Sequence, residues 1–130
     1  MNDRILINSG SLWENVVGYS RAVKVGNLVE VAGTTAVDGD QVIGEGSVYE
    51  QARFIFQKIG RALQQAGSSL DHVVRTRMYI TDISKWEEAG KAHGEVFQQI
   101  KPALTMIEVS ALIDARLLIE IEATAIIPND

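Results

Sequence analysis

The sequence predicts one α+β domain, in which a mixed β-sheet carries two helices on one face. Three observations support this fold class. Segments at both ends of the chain alternate apolar and polar residues with a period of two, which is typical of strands. Two central segments instead repeat apolar residues at helical spacing, and each begins with a Ser-x-x-Glu capping box. No linker, charge block or internal repeat divides the 130 residues, so residues 1–130 are expected to form a single domain.

Seven segments in the order ββ-α-β-α-ββ carry these patterns. The C-terminal strand is the clearest, because Leu117, Ile119 and Ile121 alternate with Glu120 and Glu122. One of its faces is therefore apolar, and the other sets two carboxylates side by side. A polar, turn-rich stretch before the first helix predicts a loop with a small ribbon. The predicted strands are 19–25, 28–32, 72–80, 103–109 and 117–127, and the predicted helices are 48–66 and 86–100.

Turn and cap residues predict where these segments begin and end. Gly26-Asn27 is a favourable two-residue turn for a hairpin between the first two strands. Ser47 and Ser84 begin the two capping boxes, and Gly67 supplies a C-cap for the first helix. Pro102 prevents the second helix from continuing.

The composition excludes several kinds of site. The chain has 17 acidic and 12 basic residues, a net charge of −5 and no basic run, which disfavours a nucleic-acid partner. It has no cysteine, so disulfides and thiolate metal sites are excluded. Its two histidines, His72 and His93, lie far apart without surrounding carboxylates, so no metal site is expected. Gly44 and Gly46 lack the context of a phosphate-binding loop, and no cofactor is expected.

The N-terminal segment, residues 1–13, has no uninterrupted apolar run and no basic-then-apolar order. It predicts neither a signal peptide nor a membrane span, and no membrane partner is expected. We interpret the chain as a cytoplasmic protein.

The second face of the sheet carries too many charges for the core of a sandwich. Such charges are acceptable at a wet junction between subunits, where they can pair and stay partly hydrated. The pattern therefore indicates an oligomer. The charged residues are Glu30, Arg75, Arg77, Glu108, Glu120 and Glu122.

Four segments resemble the RidA/YjgF family, whose archetypes are trimeric enzymes that hydrolyse reactive enamines and imines. The resemblance covers nearly the whole chain and implies a chorismate-mutase-like fold. It also implies a homotrimer in which three sheets close into a central barrel, with ligand clefts between subunits. The segments are GYSRAV from Gly18, VRTRMYITD from Val74, AHGEVF from Ala92, and the stretch from Pro102 to the strand IEIEA.

The chain departs from the family pattern at the residue that grips the substrate. The archetypes carry an arginine two residues after the proline, as P-A-R-S, and it binds the substrate carboxylate. Here Leu104 stands at that position. The serine of the family's S-G-Q is Ala32, and the asparagine of the second helix aligns with Gly90. The chain thus resembles branches that lack the arginine, and we expect weak or absent activity toward 2-iminopropionate.

The resemblance implies one catalytic candidate, Glu120, which would place a water or transfer a proton. The alternative is a carboxylate that is merely solvated at the trimer junction. Tyr19 is either a cleft wall with a usable hydroxyl or an interface aromatic residue. The candidate substrate-binding residues are Tyr19, Arg21, Gly33, Thr34, Leu104 and Thr105.

Arg21 shares a strand face with Tyr19 and could return a guanidinium to the cleft. From sequence alone, a salt bridge to Glu30 or Glu108 is the preferred interpretation. Arg75 and Arg77 are expected to pair with the acidic strand. His93 lies on the apolar stripe of its helix and is interpreted as a packing residue.

Two classes of function remain open. The leading hypothesis is a hydrolase or deaminase of this family that holds a compact imine, enamine or carbonyl metabolite between subunits. The alternative is a non-catalytic module that senses a metabolite or acts like a holdase. RNA cleavage, described for some relatives, is disfavoured by the negative charge.

Overall fold

The computed structural model describes residues 3–129, which form a six-stranded sheet, a two-stranded ribbon and three helices. Single 3-10 turns precede the sixth strand and the third helix, at Leu70–His72 and Ile83–Lys85. The helices are α1 (Leu12–Val17), α2 (Val48–Gln65) and α3 (Trp86–Phe97). The strands are β1 (Arg4–Ile7), β2 (Ala22–Val25), β3 (Leu28–Thr34), β4 (Val37–Asp38), β5 (Gln41–Val42), β6 (Val73–Ile80), β7 (Ala103–Glu108) and β8 (Ile119–Ile126).

The large sheet has the strand order β1-β2-β3-β8-β6-β7. All neighbouring strands are antiparallel except β6 and β7, which are parallel because α3 crosses over between them. The sheet is therefore mixed, and helices α2 and α3 cover one of its faces. This confirms the predicted α+β class.

The core lies between the two long helices and the sheet. On β8 the residues Ile119, Ile121, Ala123 and Ala125 are buried, while Glu120 and Glu122 point to the opposite face. The period of two predicted this strand, and the structure confirms it. Helix α2 places its apolar stripe against this face, with Ile55, Phe56, Ile59 and Leu63 almost fully buried.

The predicted caps are confirmed for the first long helix and wrong for the second. Ser47 accepts a hydrogen bond from the Glu50 amide at 3.1 Å. Gly67 takes a left-handed conformation with φ 79°, and the Ser68 amide closes the end on a carbonyl of the last turn. In α3 the cap residue is Lys85, without a side-chain bond. The Ser84 hydroxyl instead donates to Asp82 at 2.7 Å, because that carboxylate caps the preceding 3-10 turn.

Two N-terminal elements were not predicted. Strand β1 pairs with β2 at one edge of the sheet, and α1 follows it. Gly18, with φ 89°, ends α1, so the first predicted strand begins at Ala22 instead of Tyr19. The Gly26-Asn27 hairpin and the small ribbon are both present as predicted.

Strand β3 extends two residues beyond its predicted end. Its pairing with β8 shifts register between Val31 and Thr34, which is a β-bulge. Bulges redirect the backbone locally, and this one brings Gly33 next to β8. Among the described residues, no helix has the length and apolar character needed to cross a membrane. The cytoplasmic location stays a prediction from the sequence.

Candidate functional site

The bulge in β3 lets the Glu120 carboxyl group lie directly against the Gly33 backbone. A Cβ atom at residue 33 would collide with the Glu120 carboxylate oxygen. Gly33 does not have a positive φ, so the close approach, and not backbone strain, requires glycine here. The structure therefore couples two of the predicted site residues sterically.

Glu120 is only half-buried, yet its environment favours the protonated form. Burial raises the pKa of this carboxyl above its ordinary value of 4.5, and the neighbouring charge of Glu122 raises it further. Arg21 acts in the opposite direction and lowers the pKa. On β6, Tyr79 is the residue that pairs with Glu120.

Arg21 reaches the same place from the position just before β2. Its Nη2 atom donates a hydrogen bond to the Gly33 carbonyl at 2.5 Å, and its guanidinium lies 5.9 Å from the centre of the Tyr19 ring. The structure thus brings Tyr19, Arg21, Gly33 and Glu120 together.

The salt bridge preferred for Arg21 from the sequence is wrong. Glu30 accepts a hydrogen bond from Thr124 at 2.5 Å, and Glu108 accepts one from the Ile83 amide at 2.9 Å. Both carboxylates therefore have other partners. The bulge explains the difference, because it offers the guanidinium a carbonyl that a regular strand would use in the ladder.

An open cavity of about 770 Å³ lies beside this group of residues. Tyr19 and Ala32 line it, together with Glu14 of α1 and Glu122 of β8. Arg21, Gly33 and Glu120 are not among its lining residues, so the cavity adjoins the site without containing the Glu120 carboxyl. The Glu120 carboxyl therefore lies outside the cavity that one protomer forms.

Three other predicted site residues are not part of this group. Thr34 is buried, and its hydroxyl donates to the Ala32 carbonyl at 2.8 Å, so it is not presented to a ligand. Thr105 accepts a hydrogen bond from Arg75 at 2.5 Å. Leu104 is 41% exposed on the edge strand β7.

Leu104 and Glu120 are on opposite faces of the sheet. Leu104 pairs with Thr76, whose hydroxyl contacts His93 of α3, and this places Leu104 on the helix side. Glu120 is on the other side of β8, two strand spacings or about 10 Å away. One protomer therefore does not bring these two residues into a common cleft.

Comparison with known proteins gives a consistent result. The family model for endoribonuclease L-PSP matches residues 9–127. An uncharacterized protein of Streptomyces coelicolor is 39% identical over 119 residues, covering 92% of this chain and 89% of that protein. A RutC family protein of Pyrococcus abyssi is 37% identical over 108 residues, covering 82% of this chain and 84% of that protein.

Solved structures agree with these matches. Rv2704 of Mycobacterium tuberculosis, described as a member of the YjgF/YER057c/UK114 family, is 48% identical, with a TM-score of 0.87. The similarity covers 96% of this chain and all of that one. The chain belongs to the RidA/YjgF family.

Around the site of this RidA/YjgF protein, a polar network covers the exposed sheet face. Arg77 lies 3.5 Å from Glu122, and the Tyr79 hydroxyl donates to the same carboxylate at 3.0 Å. The expected pairing of Arg77 with the acidic strand is confirmed. Arg75 differs, because its contact is with Thr105.

His93 is a packing residue, as interpreted from the sequence. Its Nε2 atom lies 2.8 Å from the Thr76 hydroxyl, and its ring packs against Phe56 and Phe97. Burial lowers its pKa below 6.5, so the ring is neutral near pH 7. Among residues 3–129, no group of three or more potential ligands is placed to hold a metal ion.

The sequence did not reveal Lys58 as a neighbour of the site. Its Nζ atom donates to the Thr35 and Val37 carbonyls at 3.0 and 2.9 Å, just beyond the bulge. Burial lowers the pKa of this amine, and Arg21 lowers it further. On the helix it resembles any solvated lysine, so no pattern in the sequence distinguishes it.

Proposed function

We propose that this chain binds a small metabolite in clefts between the subunits of a homotrimer and hydrolyses an imine, enamine or related carbonyl compound there. The observation that supports this most is the half-buried Glu120 carboxyl held against Gly33, beside Tyr19 and Arg21. A carboxyl with a raised pKa is a stronger base than an ordinary one, which suits it to accept a proton and return it.

The reaction requires little from the protein. Water adds to the carbon of a protonated imine, and the resulting carbinolamine loses ammonia to leave a carbonyl group. Glu120 would accept a proton from the attacking water and return it to the leaving nitrogen. The Gly33 backbone and the Tyr19 ring would limit where the substrate can lie.

Activity toward 2-iminopropionate is expected to be weak or absent. A hydrogen bond to a charged group contributes about 1.5–3 kcal/mol, and Leu104 cannot donate one at the position of the archetypal arginine. Its loss corresponds to about one to two orders of magnitude in binding.

A cleft between subunits is supported by the placement of Leu104 and Glu120 on opposite sheet faces. A second protomer is needed to set its β7 edge beside the Glu120 face of the first. Light scattering should give about three times 14.2 kDa. A mass near that of one chain would contradict the homotrimer.

The proposal can be tested by an assay that couples generation of 2-aminoacrylate, or of related imines, to detection of the carbonyl product. We expect Glu120→Gln to remove any turnover, while Glu108→Gln, a matched change of an exposed carboxylate on β7, leaves it unchanged. Equal loss in both variants, or none in either, would contradict a catalytic role for Glu120. Wild-type turnover of 2-iminopropionate equal to that of an arginine-containing family member would show that Leu104 is not limiting.

One observation favours the alternative of a non-catalytic, holdase-like module. Helix α1 exposes four large apolar side chains, each between 62% and 72% accessible: Leu12, Trp13, Val16 and Val17. A holdase would keep a heated client protein soluble and would lose this effect in Trp13→Ser. Failure of the wild-type protein to suppress aggregation would reject this alternative.

A further inference from the structure

The position of Arg21 has a consequence for the class of ligand that this site accepts. Its backbone amide donates to the Ile7 carbonyl at 2.8 Å, and its own carbonyl accepts from the Ala32 amide at 3.0 Å. Strands on both sides therefore hold the residue in place. Its side chain turns toward the bulge and donates to the Gly33 carbonyl.

The Arg21 guanidinium has no salt-bridge partner among residues 3–129, since no carboxylate there lies within 4.0 Å of it. Its Nε atom is buried and has no hydrogen-bond partner among those residues. A guanidinium has five N–H donors, and the bond to Gly33 uses only one of them. An unpaired buried donor is costly, and residues 3–129 provide no acceptor for this one.

The surrounding charges leave room for an added anion. Lys58 lies on the far side of the same loop, and Arg21 and Arg61 lower its pKa, second to the effect of burial. Of the acidic groups, Glu120 interacts with Arg21 and has its pKa raised by burial, and Asp38 acts on Lys58. Arg21 and Lys58 therefore place positive charge on this side of Glu120.

We propose that Arg21 binds the carboxylate of a small ligand and that Glu120 takes up a proton when this ligand binds. The inference rests on the proposed function, because it concerns the ligand of the same site. Arginine suits this role, since its planar fork matches a carboxylate and forms strong, charge-assisted hydrogen bonds.

The proton uptake follows from the groups that face Glu120. Glu122 lies two residues along β8, Tyr79 pairs with Glu120 from β6, and Arg21 approaches across Gly33. Arg21 stays charged, the phenol of Tyr79 stays protonated because burial raises its pKa, and Glu122 is paired with Arg77. A ligand carboxylate adds a negative charge beside a carboxyl whose pKa burial and Glu122 already raise, so the pKa of Glu120 rises further and the group takes up a proton.

The inference also agrees with weak activity toward 2-iminopropionate. A carboxylate held by Arg21, just before β2, instead of from the β7 edge of a neighbouring subunit, presents a different part of the ligand to Glu120. Binding of a carboxylate can then persist although the archetypal substrate is poorly aligned for attack.

Isothermal titration calorimetry with pyruvate and its neutral analogue pyruvamide tests the proposal. Repeating the titration in buffers of different ionisation enthalpy counts the protons taken up. We expect the wild type to bind pyruvate more tightly than pyruvamide, with proton uptake and affinity that rises by up to about tenfold per pH unit as the pH falls. Arg21→Ala should weaken pyruvate binding about 10- to 100-fold and leave pyruvamide binding unchanged.

Two further variants complete the design. Glu120→Gln should still bind pyruvate but without proton uptake. Arg53→Ala is the matched control, because Arg53 is exposed on α2, where it lies 3.8 Å from Glu50, and its loss should leave pyruvate binding unchanged. Circular dichroism and light scattering establish that each variant is folded and assembled. If Arg21→Ala does not fold, Arg21→Lys and the number of protons that the wild type takes up still test the proposal.

The results separate failure of this inference from failure of the proposed function. Pyruvate binding that survives Arg21→Ala, or that occurs without proton uptake, overturns the inference. Tighter binding of pyruvamide than of pyruvate also overturns it, while Glu120-dependent hydrolysis of a neutral imine would leave the proposed function intact. Absence of binding and of hydrolysis would overturn both.

Discussion

Replacement of Gly33 by alanine tests the closest contact in the site. A methyl group at residue 33 and the Glu120 carboxyl cannot both keep their positions. The colliding atom is the far end of a flexible side chain, so we expect the carboxyl to move while the bulge stays. Overpacking of this kind costs about 1–3 kcal/mol, and the lower entropy of the unfolded alanine chain offsets about 0.4–1 kcal/mol. The expected net loss of unfolding free energy is about 1 kcal/mol.

A double-mutant cycle identifies the cause of that loss. Urea denaturation at one fixed protein concentration would be measured for the wild type, Gly33→Ala, Glu120→Ala and the double variant. Without the carboxyl, Gly33→Ala should become neutral or slightly stabilising. Gly94→Ala is the control, because open space surrounds Gly94 and alanine favours the helix by about 1 kcal/mol. An equal cost of Gly33→Ala in both backgrounds would refute the steric coupling.

Three further predictions concern stability. Because the pKa of Glu120 is raised in the folded state, wild-type stability is lost as the pH rises through that pKa. Urea denaturation should therefore show that Glu120→Gln stabilises the protein, relative to the wild type, more near pH 7 than near pH 4. The pKa of His93 is lowered, so stability should fall as the pH drops below about 6.5, and His93→Gln should flatten that slope in thermal unfolding. Gly67→Ala should lose about 1–2 kcal/mol, since its left-handed φ of 79° disfavours a side chain, whereas Ala66→Gly nearby lacks that cause.

Most of the fold could be predicted because burial imposes a period on the sequence. On β8, every second residue enters the core, and this alternation is visible without a structure. Strand β1 gave no such signal, since its four residues lie at a sheet edge, where Ile5 and Leu6 are both about half exposed. Helix α1 has only six residues, and its apolar side chains face outward, so no stripe could reveal it.

The site was predicted in part, and the reason for the rest is geometric. Tyr19, Gly33 and Glu120 came from the family resemblance, which fixes identities but not contacts. The partner of Arg21 depends on the bulge, a displacement of one residue in the ladder that leaves no mark in the periodicity of β3. Lys58 comes close only because α2 passes the loop after that bulge.

The absence of the archetypal arginine therefore does not by itself mean the loss of a cation from the site. In the sequence, Leu104 on β7 stands at the position of the archetypal arginine, so the positive charge at that edge is absent. The structure places the guanidinium of Arg21 on the opposite side of Glu120, without a carboxylate partner in the described chain. A charge that sits on the other side of the catalytic candidate changes which end of a ligand faces Glu120. Under our proposal, specificity would be a question of orientation, because Arg21 would bind the ligand while Glu120 on β8 would react with it.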